Sequence, residues 1–166
     1  MATAEDFAEV EWAVICDAAH GAGMAMMLLG SSGLVGSMKE MLVAGRTAAN
    51  AAKHESELIR AICEPEAMRA MQKRVADVLS EGHGGDPRRA LREKSLDWLG
   101  EAVEVLRKKA PEELGAYREW VTGFASEVAN AASEGGPLGI RGEKVSAEEA
   151  QYLGALRAIL TADRNG

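Results

Sequence analysis

The side chains with the most chemical potential in this sequence fall within a little over one helical turn: Cys16, Asp17 and His20. Cys16 and His20 are four apart, so a helix sets both on one face, where a soft metal such as zinc accepts a sulfur and an imidazole nitrogen. Two donors do not make a site. Others would have to come from His54, Glu57 or Cys63, and the chain has no tight C-x-x-C or H-x-x-x-H spacing. Cys16 therefore reads first as a small buried thiol beside a hydrogen-bonded histidine. Asp17 and His20, three apart, form the sharper pair. A carboxylate in apolar surroundings must be hydrogen-bonded or neutralised, and an Asp–His couple with perturbed pKa values is a candidate general base. The competing reading, which we favour, has Asp17 tying its helix to a neighbour. No G-x-S-x-G elbow occurs, and the serines of GSSG have no base placed near them.

Two glycine-rich links are the other candidates. Gly33 with Lys39, and Gly136 with Arg141, put exposed backbone N–H groups and a cation near a helix start, which is how helix termini hold anionic cofactors. Neither link ends in G-K-[ST], and no strand precedes either. The segment after Ser133 also lacks the alternating Asp and Asn ligands of a calcium loop. Connection between helices is the favoured reading of both.

The elements that must position these residues are all helical. Trp12–Leu29 is apolar on nearly every side apart from Asp17 and His20, as befits a buried central helix, and Ala4–Val10 could begin it. Gly21 and Gly23 cost about 1 kcal/mol each in helix propensity, which packing must offset. GSSGLVG over Gly30–Gly36 stops this helix, and Ser37 with Glu40 has the capping-box spacing for the next. That second helix is expected to continue through Leu58, Ile59 and Ile62, with HESE at His54–Glu57 only weakening its stripe. Pro65 opens a third helix, with Met68, Met71, Val75, Val78 and Leu79 inward, which stops at SEGHGGDP. The fourth, about Pro87–Lys109, buries Leu91, Trp98, Leu99, Ala102, Val103 and Leu106. Pro111 opens a fifth with the regular stripe Leu114, Tyr117, Val121, Phe124, Ala125, Val128 and Ala132. Ser146 and Glu149 repeat the capping box before a last helix expected to bury Ala150, Leu153, Leu156 and Leu160.

Composition narrows the function classes. The chain has 166 residues, 47% hydrophobic and 27% charged, enough to bury one core, and we expect a single all-α domain over 1–166, a five- or six-helix bundle. A net charge of −7 argues against a nucleic-acid backbone or an anionic membrane as partner. Two cysteines and an N-terminus without a basic leader point to a reduced, cytoplasmic setting.

AMMLLGSSGLVGSMKEMLVAG and VANAASEGGPLGIRGEKVSAEEAQYLGA share a layout of small-residue helix, glycine loop, S-x-x-E cap and Ala-rich helix. This suggests repeat units at about 12–53 and 112–162 related by a pseudo-two-fold axis. APEELGAYREWV followed by VANAASEGGPLGIRGEKVSAEE, together with SGLVGSMKE, resembles a family of uncharacterised bacterial all-helical proteins in which an EGG-x-LG loop precedes V-S-x-x-E. The loop departs from that pattern at Pro137 and at Arg141-Gly142. The resemblance implies a helical fold and no particular activity. A more distant likeness is to tellurite-resistance B-like helical domains. With no catalytic set in view, we expect a non-catalytic interaction or structural module that self-associates through Ala- and Met-rich helix faces. The alternative is a small-molecule or metal-binding protein, or an enzyme, using the Cys16, Asp17 and His20 face.

Overall fold

The computed structural model describes residues 2–29, 45–47, 49–81, 86–133 and 146–162, and every regular element among them is helical. The elements are α1 (Glu9–Leu29), α2 (Glu57–Ile62), α3 (Pro65–Glu81), α4 (Pro87–Lys109), α5 (Leu114–Ser133) and α6 (Ala147–Thr161). Single 3-10 turns at Ala4–Asp6 and Pro111–Glu113 precede α1 and α5, and residues 45–47 and 49–51 are also helical. The first glycine loop with its Ser37–Glu40 cap, most of the second glycine loop, and the candidates Gly33, Lys39, Gly136 and Arg141 lie outside the described residues.

Helix α1 is central. Its most extensive contact is with α4, and it also touches α2, α3, α5 and α6. At 21 residues it is long and apolar enough to cross a membrane by length and composition, yet twelve of its side chains or glycines are buried in this fold. Its start is more sharply defined than the sequence reading allowed. Ala8 caps it, with Ala8 N–H donating to Glu11 Oε2 at 2.8 Å, and Phe7 stacks on Trp12 with ring centroids 6.2 Å apart. An apolar pair across the cap joined to a glutamate at the third helical position is a hydrophobic staple, which separates α1 from the preceding turn.

The glycines inside α1 have a packing reason. A Cβ on Gly21 would stand 3.2 Å from the Trp98 ring, and one on Gly23 would stand 2.3 Å from the Phe124 ring. Both rings therefore press onto the α1 backbone, and the lost helix propensity is exchanged for close contact with α4 and α5.

The expected unbroken second helix is corrected. The chain turns at residues 52–55 and restarts at a cap: Ile59 N–H donates to Ser56 Oγ at 3.2 Å, and Ser56 N–H donates to His54 Nδ1 at 3.1 Å. Local side-chain acceptors in HESE outcompete the helix there. Ser56 Oγ also donates to Glu113 Oε2 at 2.7 Å, while Ala2 N–H donates to Glu113 Oε1 at 3.1 Å. Buried Glu113 thus joins the N-terminal arm, the start of α2 and the turn before α5.

Pro65 begins α3 and Pro87 begins α4, the latter capped by Asp86, whose side chain accepts from Arg88 N–H at 3.0 Å. The apolar positions predicted for α4 are all buried, as are those of α5 from Leu114 to Val128. In α6 the Ser146–Glu149 capping box is formed, but Ala150 is exposed, and Tyr152 supplies the buried contact instead by pairing with Ser95 across α4 at 2.7 Å. Arg89, at the first turn of α4, pairs with Glu93 in the open.

Candidate functional site

All three residues singled out from the sequence sit in the buried middle of α1, and the fold sends their polar groups to separate partners. Asp17 faces α3. Arg74 Nε donates to its Oδ2 at 2.6 Å, and its Oδ1 is buried with no partner. Burial pushes the carboxyl pKa up; Arg74 and, more weakly, Lys94 pull it down, and burial prevails. Only the Oδ2 side is neutralised, so desolvation of the other oxygen stays uncompensated.

His20 faces the other way. Its Nε2 lies 3.0 Å from the carbonyl oxygen of Ile62, and because a carbonyl only accepts, Nε2 carries the proton. Ile62 ends α2, so this bond satisfies a carbonyl with no partner inside its own helix. The imidazole stands edge-on to Trp120 and Phe124, with centroids 5.7 Å and 6.4 Å away. Burial lowers its pKa and keeps it neutral.

Cys16 is buried and Cys63 half-buried, and burial pushes both thiols up to about 12. The thiolate, the form that attacks electrophiles or binds metal, is therefore disfavoured at both. Among the described residues no group of three or more His, Cys, Asp and Glu side chains has the arrangement to hold a metal ion.

The pair read from the sequence as a candidate general base is thus sealed: Asp17 is 2% exposed and His20 is 4% exposed. A general base has to reach the proton it removes, directly or through one water. Asp17 ties α1 to α3, and His20 ties α1 to the end of α2 and to the aromatic face of α5. Tyr117 adds a similar tie, its Oη donating to the Ile15 carbonyl at 2.8 Å. The cross-chain partners Arg74, Ile62, Trp120 and Phe124 leave no local trace in the sequence around Asp17 and His20.

An open concave surface lies elsewhere. A groove of about 670 Å3 runs between the first half of α1, the second half of α4 and the end of α6. Val10, Val14, Val103, Val105 and Ile159 make its apolar lining, and Gly100 also lines it, with open space where a Cβ would stand. Val10 is 77% exposed, the one exposed large hydrophobic side chain among the described residues. By contrast, the described methionines of α1 and α3 are buried or half-buried.

The rim of the groove is charged. Lys109 Nζ donates to Glu11 across α1 and α4, Arg107 Nη1 donates to Glu104 at 2.7 Å, and Arg107 Nη2 donates to the Ala162 carbonyl at 2.7 Å. Glu101 makes no hydrogen bond or ion pair among the described residues and stands exposed on the α4 wall. The hydrogen bond from Lys109 holds the carboxyl of Glu11, which lines this surface, below its ordinary pKa. No family model matches the chain, and neither a curated protein nor a solved structure matches it.

Proposed function

We propose that this chain is a non-catalytic interaction module that holds an apolar, helical segment of a partner protein in the groove between α1, α4 and α6. The observation that carries this reading is the exposed Val10 at the edge of an open groove lined by Val14, Val103 and Ile159. A single exposed valine needs no explanation, but one continuous with a concave apolar surface offers a partner several side chains' worth of burial. The volume is within the range of about 300–1,000 Å3 over which pockets accept ligands, and three helices around an open trough suit the helix-in-groove mode of recognition. Chemistry at Cys16, Asp17 and His20 is the less favoured reading, because each group would have to leave a buried partner or a buried position to meet a substrate.

The test is selection from a displayed library of helical peptides on the full chain, followed by affinity measurement on variants. Val10→Asp is expected to weaken the selected peptides by about tenfold or more, since a carboxylate would replace a buried apolar contact. His20→Gln is expected to leave their affinity within about twofold, because His20 lies away from the groove. Peptides whose binding follows His20 and ignores Val10 would overturn the proposal.

A further inference from the structure

We infer that the occupant of the groove is a basic amphipathic helix of another protein, an inference that rests on the groove reading above and adds the chemistry of the partner. Asp97, Glu101 and Glu104 recur at i, i+4 and i+7, which places them on one ridge of α4, with Lys108 closing it. Glu101 lines the groove, and Asp97 lies one turn further along the same ridge. Both are exposed and neither is paired among the described residues. On the α1 wall, Glu9 flanks Val10 and is also exposed and unpaired.

The cations at the rim do not offset these charges. Arg107 is committed to Glu104 and to the Ala162 carbonyl, and Lys109 to Glu11. The uncommitted charge beside the apolar lining is therefore net negative: Glu9, Asp97 and Glu101 stand against Lys108 and Lys94 on the same ridge, the latter lying over the Trp98 ring. A helix that lays apolar side chains into the trough and Lys or Arg side chains over Glu9, Asp97 and Glu101 matches both features. A second copy of this chain matches them less well. A two-fold interface sets the same patch against itself, which here brings two net-negative surfaces together in a chain of net charge −7.

Gly100 gives the inference a clean control. Its missing side chain serves no neighbour in this chain, so Gly100→Leu adds a side chain to the groove lining and improves helix propensity. Loss of binding in this variant cannot be blamed on loss of fold.

The experiment uses three fluorescein-labelled model helices with one Leu/Ile face and flanks of Lys, Gln or Glu, titrated into the full chain and followed by anisotropy. The Lys peptide is expected to bind about tenfold tighter than the Glu peptide at low salt, and the gap should shrink to about threefold or less at about 0.5 M salt as the Debye length falls. Asp97→Asn with Glu101→Gln should narrow the gap similarly, whereas Glu66→Gln, on exposed α3 surface, should leave it unchanged. Gly100→Leu should weaken the Lys peptide about tenfold with an unchanged circular dichroism spectrum. Equal binding of the three peptides, each lost in Gly100→Leu, would overturn the basic partner and leave the groove reading standing. Failure of any peptide to bind, or binding indifferent to Gly100→Leu, would overturn both. Light scattering that shows a dimer abolished by Gly100→Leu would overturn the inference in favour of a second copy.

Discussion

Three glycine-to-alanine substitutions, identical in chemistry and all inside helices, should change stability in different directions. Each gains about 1 kcal/mol of helix propensity. In Gly100→Ala nothing offsets that gain, because the new methyl meets no atom within 4 Å. The melting temperature should rise by about 2–4 °C for a chain of this size. In Gly23→Ala the methyl would stand 2.3 Å from Phe124 Cε1 and 2.5 Å from Cζ. The ring has little room to retreat, since it is 6% exposed and backed by Trp120 at 5.3 Å between centroids. Overpacking of this kind costs about 1–3 kcal/mol, and the clash is close enough to expect the upper part of that range. The net loss is then about 1–2 kcal/mol, or a melting temperature lower by about 2–8 °C. Gly21→Ala, at 3.2 Å from the Trp98 ring, should fall between the two. Thermal and urea unfolding of the three variants measure this directly, and Phe124→Leu in the Gly23→Ala background should recover part of the loss. If Gly23→Ala stabilises as much as Gly100→Ala, the Phe124 ring does not rest on α1 and the packing account is wrong.

Two further predictions concern the sealed residues. Burial holds the folded His20 pKa below its ordinary 6.5, so the unfolded chain takes up a proton that the folded chain refuses. Its contribution to stability is complete above about pH 6.5 and is lost as pH falls, with a slope of at most about 1.4 kcal/mol per unit. Asp17 works in the opposite sense: its folded pKa is raised above 3.8, so the folded chain takes up that proton first and gains relative stability as pH falls through that window. Urea unfolding from pH 7.5 to 5.5 should show a declining limb that His20→Gln flattens; an equal slope in both proteins would contradict the buried neutral imidazole. Arg74→Met leaves the Asp17 carboxylate buried and unpaired. Because the Arg74 side chain is 35% exposed, the cost should fall below that of a fully buried pair, at about 2 kcal/mol, and Asp17→Leu in the same chain should recover most of it. A double-mutant cycle with no coupling between these positions would refute the tie between α1 and α3.

The parts of this fold legible in the sequence were those governed by local rules. Pro87 and the basic end of α4, the Leu114–Val128 stripe of α5 and the Ser146–Glu149 box each rest on neighbours within one or two turns, and each is found where spacing places it. The restart at Ser56 was missed because the apolar stripe around it continues at helical spacing, while the hydrogen bonds that break it come from side chains of the HESE segment. Phe7 and Trp12 with Glu11 did carry a readable staple signal for the start of α1. Glu113 reads as a surface acid beside Pro111, and its burial depends on Ala2 and Ser56, far away along the chain.

The candidate sites divide in the same way. That Asp17 and His20 stand out on an apolar helix is a local fact, and so is the need of each for a partner. Which partner each takes depends on α2, α3 and α5, and those contacts turn a candidate dyad into two structural ties. The groove was not legible because its lining comes from three segments separated by roughly a third of the chain or more. Val10 entered only as the end of the stretch Ala4–Val10 that could begin the first helix, and Gly100 carried no signal of its own.

The central claim is that the chain acts through the groove and not through the middle of α1. A methyl- and amide-resolved NMR titration of the full chain with the Lys-flanked model helix tests it most directly. The account predicts that the largest shifts fall on Val10, Val14, Val103 and Ile159, with His20, Trp120 and Phe124 unmoved. Shifts centred on Cys16, Asp17 and His20, or none at saturating peptide, would contradict it.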